Sequence, residues 1–301
     1  MRALLLGARG AVGVVVRREL ERAGHEVTPA SRGASGRGRV DLQGDLSPVA
    51  DLAAEHDVVV NASGVERIGL AGATAATPLI DISATGAYLE KLRNAAGGPV
   101  VLGAGLVPGL STILVRALTS ETAVGDIDVL VMLGAGERHG PAAVAWTAGL
   151  VGVDVHRPPE GGRVRNFRDS VRALGPDGRS RRYLRADFPD HVLRGDAHGA
   201  IRSYLTLGSS ALTASLALVG RMPALRGALA AAPHVGGDAW HIVVRDRRTG
   251  QQRTAAGRGQ SEATGRLTAL AAERIVSRGA AGAVTMADLV EPDDALAVIV
   301  G

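Results

Sequence analysis

The sequence predicts an α/β protein, a Rossmann-type parallel sheet with an inserted α+β domain for substrate binding and dimerisation. Three observations predict it. Over about the first 120 residues, short apolar runs alternate with helical patterns, as in a parallel sheet with helices on its faces. The turn joining the first such pair is Gly7-Ala8-Arg9-Gly10-Ala11-Val12-Gly13. After about Ala123 the pattern changes to alternating strands with turn signals, and a helical pattern returns at Ser261. The expected division is a dinucleotide-binding domain over residues 1–123 and 262–301, with a substrate and dimerisation domain over 124–261.

Taken in order, Ala3–Leu6 reads as a short buried strand and Ala11–Ala23 as a helix that turns Val12, Val15, Val16 and Leu20 to one side. Gly24 is placed to end that helix. Glu26–Ala30 is the second strand and Val40–Leu42 a third. Pro48–Glu55 is a helix, and Asp57–Asn61 carries the Val58-Val59-Val60 run of a strand buried on both faces. Strands at Leu79–Ile82 and Val100–Leu102 flank a helix from Thr85 to Ala95. In the middle of the chain, Ile127–Val131 alternates like a half-exposed strand. Hairpins are expected at Gly175–Gly178 and Arg248–Gly250, in an antiparallel sheet. The uncharged stretch Ser203–Gly220 predicts a buried helix, and Ser261 begins a long helix with Ala263, Leu267, Leu270 and Ile275 on one face.

Composition narrows the function classes. Cysteine is absent, which excludes disulfides, thiolate metal sites and a cysteine nucleophile. The histidine pairs His191/His198 and His234/His241 lack the accompanying ligands of a metal site, so no metal is expected. A net charge of +4 is small for 301 residues, and the densest basic stretch, Arg163–Arg185, is interrupted by Asp169 and Asp177 and has a turn inside it. A nucleic-acid partner is therefore not expected. The uncharged stretches Asn94–Val115 and Ser203–Gly220 are broken by Gly and Pro or rich in Ser and Thr, so no membrane partner is expected either. A cytoplasmic protein, a homodimer acting on a small-molecule substrate, is the expectation.

The glycine turn carries the chemistry. A strand-to-helix turn without Cβ atoms lets a pyrophosphate approach the backbone, where free N–H groups and the helix dipole meet its charge. Gly7, Arg9, Gly10, Ala11, Val12 and Gly13 are thus candidate cofactor residues. Cofactor preference is read at the end of the second strand, where NAD sites offer an acid and NADP sites a cation. Here stand Ser31 and Arg32, with Arg9 close by, which predicts NADP(H) ahead of NAD(H). Asp41 and Leu42, ending the third strand, would meet the adenine, and Asn61-Ala62-Ser63-Gly64 would lie across the ribose and nicotinamide. Asp81 and Ser83 end a strand that points at the cleft and are further candidate site residues, Ser83 toward the cofactor.

The glycine turn, Asp57 to Gly64, Ile80-Asp81-Ile82-Ser83 and Gly103-Ala104-Gly105-Leu106-Val107-Pro108-Gly109-Leu110-Ser111 occur in the order and approximate spacing of the saccharopine dehydrogenase-like family, which the chain resembles over most of its length. Gly136 to Pro141, with Trp146 downstream, is similar to a loop of bacterial members. The segment after Gly64 is Val65-Glu66-Arg67, where the family usually carries proline. The resemblance implies an NADP-binding Rossmann domain, an inserted α+β domain, and NADP(H)-dependent reduction of an imine or other polarised double bond.

Such a reaction needs a proton donor and a substrate clamp. Glu137, Arg138 and His139 supply an acid, a forked cation and an imidazole in one loop and are the candidate catalytic residues; a charged surface turn is the plain alternative. Tyr88 and Lys91 resemble the pair of the short-chain dehydrogenase mechanism, whose tyrosine and lysine stand four apart. Here they stand three apart, leaving an atypical member of that class as an alternative. A regulator that senses NADP without turnover is the alternative from another class.

Overall fold

The computed structural model describes residues 1–121, 125–136, 141–194, 199–227 and 236–300. The chain divides into two compact units, Met1–Ile113 with Ser261–Gly301, and Leu114–Gln260.

In the first unit β1 (Arg2–Leu6), α1 (Ala11–Arg22), β2 (Glu26–Ala30), α2 (Ser47–Ala53), β3 (Val58–Asn61), α3 (Leu70–Ala73), β4 (Leu79–Asp81), α4 (Gly86–Ala95) and β5 (Val100–Leu102) follow in sequence, and α5 (Leu110–Glu121) comes next. Their strands pair in parallel in the order β5-β4-β3-β1-β2. The interior strands read as continuous apolar runs because helices cover both faces; Leu4, Leu5, Val58, Val59, Val60 and Ile80 are fully buried. On α1 the predicted face holds, with Val15, Val16 and Leu20 buried, each worth roughly 2 kcal/mol of transfer free energy.

The predicted third strand, Val40–Leu42, does not form. Only an isolated parallel bridge joins Ser31 to Arg39, after which Asp41 turns back on itself by accepting from the Gln43 N–H at 3.0 Å. The run is too short, and Asp41-Leu42-Gln43-Gly44 is turn chemistry, which wins over a two-residue apolar signal.

Strands of the second unit are β6 (Ile127–Leu133), β7 (Ser170–Leu174), β8 (Ser180–Arg185), β9 (Ile201–Leu207), β10 (Ala239–Asp246) and β11 (Gln252–Arg258), and its helices include α6 (Pro141–Leu150), α7 (Asp190–Arg194) and α8 (Ser210–Arg221). The sheet order is β11-β10-β6-β9-β8-β7. Both predicted hairpins are present, but the sheet is mixed, since β6 pairs with β9 in parallel. β6 is also buried from Ile127 to Met132 instead of half-exposed. Asp128, the polar residue that suggests alternation, is itself fully buried and ion-paired to Arg245 across the ladder at 2.8 Å.

The stretch expected as one helix, Ser203–Gly220, is the end of β9 followed by α8. Absence of charge hides a switch of period at Gly208, and Ser209 caps α8 by accepting from the Leu212 N–H at 3.5 Å. Leu130, Ala173, Tyr183, Tyr204 and Val243 form one apolar cluster on this sheet.

The chain then returns to the first unit with α9 (Gln260–Arg278), whose predicted face, Ala263, Leu267, Leu270 and Ile275, is buried. β12 (Ala283–Thr285), not anticipated, adds a sixth parallel strand beside β5, and α10 (Met286–Leu289) and α11 (Pro292–Val300) close the chain. α9 lies directly on α1: a Cβ at Gly265 would stand 2.5 Å from Val15 Cβ, so the contact requires glycine. Among the described residues no helix is long and apolar enough to cross a membrane.

Candidate functional site

The site is assembled at the carboxyl ends of β1, β2 and β3, where ligands of open α/β sheets bind. Gly7 follows β1 with φ of +86°, and a Cβ there would meet Ser63 Cα at 2.5 Å, so the glycine turn lies against the backbone of the loop after β3. At Gly13 a Cβ would stand 2.2 Å from the Gly7 carbonyl oxygen, which lets α1 start directly behind the turn. Gly10 differs from both. Its φ is −72°, and a Cβ would meet nothing nearer than that carbonyl at 3.4 Å. Packing therefore explains Gly7 and Gly13 and leaves Gly10 as space in front of the helix. Gly10 gives α1 no side-chain cap and the first turn holds no acid, so the N–H groups at Ala11 and Val12, without intrahelical carbonyls, suit an anion. These features fit a pyrophosphate.

Beside the turn, the Arg9 guanidinium donates to Ser31 Oγ at 3.3 Å and covers Gly33, where a Cβ would fall 2.5 Å from Arg9 Nη2. The Ser31 N–H donates to Gly38 O and the Val40 N–H to Ser31 O, which draws Arg39 alongside β2. Arg32 and Arg39 are exposed, and among the described residues neither meets a carboxylate, whereas Arg37 is taken up by Glu55. Asp41 and Leu42 follow this loop rather than ending a strand; Leu42 is buried and the Asp41 carboxylate holds its own turn.

Asn61, at the end of β3, is buried and spends its amide on structure. Its Nδ2 donates to Asp81 Oδ2 at 2.9 Å and to Val65 O at 3.1 Å, while its Oδ1 accepts from Ser63 Oγ at 2.6 Å. Ser63 Oγ in turn accepts from the Val65 N–H, and Gly64 takes φ of +73°. Asn61, Ala62, Ser63 and Gly64 thus shape a loop that offers backbone, not side chains, to the glycine turn. Ser83 likewise donates its N–H to Asp81 Oδ1 at 2.8 Å.

Asp81, expected at a strand end facing the cleft, is also a hub of buried hydrogen bonds whose partners the sequence did not reveal. Fully buried, it accepts from Ser83, Asn61 and Tyr88, the last at 2.9 Å; burial pushes its carboxyl above the ordinary aspartate value against these hydrogen bonds. Tyr88, on α4, is pushed above its ordinary value by burial and by Asp81, and its oxygen also accepts from the Arg67 N–H. A hydroxyl so occupied is opposite to the acidified tyrosine of a short-chain dehydrogenase, which counts against that alternative. A strand ending Ile80-Asp81-Ile82 carried the signal, since a carboxylate in an apolar run must find donors.

Glu137, Arg138 and His139 lie outside the described residues.

No protein-family profile and no curated sequence matches the chain. Among solved structures it is similar to the C. glutamicum DAP dehydrogenase in complex with DAP, at 13% identity over 96% of this chain and 94% of that one, with a TM-score of 0.49. An engineered D-amino acid dehydrogenase bound to NADP+ gives the same identity, coverage and score. A dipicolinate-bound dihydrodipicolinate reductase from Paenisporosarcina sp. TG-14 is 12% identical over 96% of this chain and 99% of that one, with a TM-score of 0.44.

Proposed function

We propose that the chain is an NADP(H)-dependent oxidoreductase that reduces an imine or other polarised double bond of a small molecule. The observation that carries the cofactor half is the group of cations at the end of β2: Arg9 on Ser31, with Arg32 and Arg39 exposed and unmatched by any carboxylate among the described residues. An acid there would accept from a ribose hydroxyl; cations instead favour a 2′-phosphate. The open N-terminus of α1 behind Gly10 supports pyrophosphate binding.

NADPH, when bound, supplies a hydride. The chain would hold its pyrophosphate on the α1 N–H groups, its 2′-phosphate on Arg9, Ser31 and Arg32, and its nicotinamide side along the backbone of Ala62 to Gly64. The buried Asp81 network would keep that loop rigid. Glu137, Arg138 and His139 remain the proposed acid, clamp and proton donor on residue type. The saccharopine dehydrogenase-like resemblance permits a C=N substrate among other polarised double bonds. A fluorescence titration with NADPH and NADH tests the cofactor half, and a screen for NADPH oxidation with small imines and enones tests the reaction.

A further inference from the structure

Arg39 lies well beyond the Ser31-Arg32 pair in sequence, yet the backbone sets it directly beside Ser31. The Ser31 N–H donates to Gly38 O at 3.0 Å and the Val40 N–H to Ser31 O at 3.1 Å, so residues 38–40 run parallel to the end of β2 along its outer edge. Residues paired across a ladder turn their side chains to the same face of the sheet. Arg39 therefore projects on the side of the Ser31 hydroxyl.

The pairing is confined to this point. Pro29, the preceding outward-facing residue of β2, has no N–H to offer, so no second rung forms below Ser31. Gly38 makes the close approach possible, since a Cβ there would stand 3.0 Å from Pro29 O. On the inner side the Gly7 N–H donates to Ala30 O, and Arg9 reaches the Ser31 hydroxyl at 3.3 Å from the glycine turn. Ser31 is thus bracketed by Arg9 on one side and Arg39 on the other.

We propose that Arg39 is a specificity-determining residue of the cofactor site, taking the 2′-phosphate of NADP(H) over Ser31 from the outer side while Arg9 takes it from the glycine turn. The assignment rests on the NADP(H) reading and adds to it a residue that its place in the sequence does not mark. A phosphomonoester suits this bracket: two guanidinium forks match its charge, and the Ser31 hydroxyl, accepting from Arg9, keeps its own proton to donate. Arg39 is exposed and meets no carboxylate among the described residues; nearby, Asp41 accepts from the Gln43 N–H and Glu55 is paired with Arg37. Arg32 is held differently. It follows Ser31 in a turn closed by the Ala34 N–H donating to Ser31 O at 3.2 Å, and no ladder pairing fixes its side chain beside the hydroxyl.

The test is a parallel fluorescence titration of NADPH and NADH at low salt on the wild type, Arg39→Ala and Arg39→Lys. Arg39→Ala is expected to weaken NADPH roughly ten- to a hundredfold and to leave NADH unchanged. Arg39→Lys should recover part of the loss, because a lysine restores the charge without the fork. An unchanged NADH affinity also reports that the variants are folded. If Arg39→Ala keeps the full wild-type preference for NADPH, or loses both cofactors equally, the role of Arg39 is overturned and the NADP(H) reading stands. A wild type that binds the two cofactors alike overturns that reading and this assignment with it.

Discussion

Arg9 and Ser31, 22 residues apart in sequence, are joined by a 3.3 Å hydrogen bond that ties the glycine turn to the end of β2. One guanidinium thereby reaches both the glycine turn and the end of β2, where the proposed reading puts the pyrophosphate and the 2′-phosphate. Arg9→Ala and Arg32→Ala should each lower NADPH affinity by about 1.5–3 kcal/mol, roughly ten- to a hundredfold, the worth of a charge-assisted hydrogen bond. NADH affinity should scarcely move. Parallel titrations check this, and an equal loss for both cofactors would place the two arginines elsewhere than the 2′-phosphate.

The three glycines should separate packing from binding. Gly10 has an ordinary φ and a Cβ there has room, so Gly10→Val should leave thermal unfolding within a few degrees of the wild type yet abolish NADPH binding. Gly13→Ala forces a Cβ to 2.2 Å from the Gly7 carbonyl and should cost roughly 2 kcal/mol or more of stability whether or not a nucleotide binds. Calorimetry on both variants reads the difference.

Much of this arrangement was legible in the sequence because its signals are local. The glycine turn needs a strand before it and a helix behind it, and the Val58 to Val60 run needs burial on both faces; both follow from residues near at hand. The Val40–Leu42 strand failed because turn chemistry at Asp41 outweighed a brief apolar run. What stayed hidden depends on distant pairing. Asp128 reads as a solvent-facing position until Arg245 of another strand is placed beside it, and Asp81 reads as a strand end until Asn61 and Tyr88 supply its donors. No spacing rule connects those residues.

Asp81→Ala should be among the most damaging substitutions in the first unit. It strips acceptors from the buried Asn61 and Tyr88 at once, a loss on the order of 3 kcal/mol, and should loosen the loop that faces the glycine turn. Asp81→Asn keeps one acceptor and should fall between. Denaturant unfolding with NADPH titration on the same samples checks both halves; a variant as stable as the wild type would contradict the role of hub.

His241 gives the second unit a pH limit. It is buried with its Nε2 2.8 Å from Tyr183 Oη, and burial, aided by Arg181, lowers its pKa to about 4, with Asp177 opposing. In the unfolded chain the ring titrates near 6.5, so the unfolded state takes up the proton first as the solution is acidified. The contribution is therefore fully present above about pH 6.5 and lost progressively down to about pH 4, by roughly 3 kcal/mol in all. Stability measured between those values should fall for the wild type, and His241→Gln should remove most of that dependence; an unaltered slope in the variant would assign it to other groups.

Once a substrate is found, His139→Gln should lower kcat by a factor on the order of 10² to 10⁴ with NADPH affinity unchanged, as removal of a proton donor does. Unchanged kinetics would reduce the Glu137-Arg138-His139 loop to a charged turn.

Binding of NADPH by the first unit, through the α1 N-terminus and the cations around Ser31, is tested most directly by the fluorescence of NADPH and NADH titrated with the wild-type protein under the same salt. Saturable binding of both is expected, with NADPH tighter by about tenfold or more, as the 2′-phosphate adds a charge-assisted bond. Equal affinities, or no binding of either cofactor by a folded protein, would contradict it.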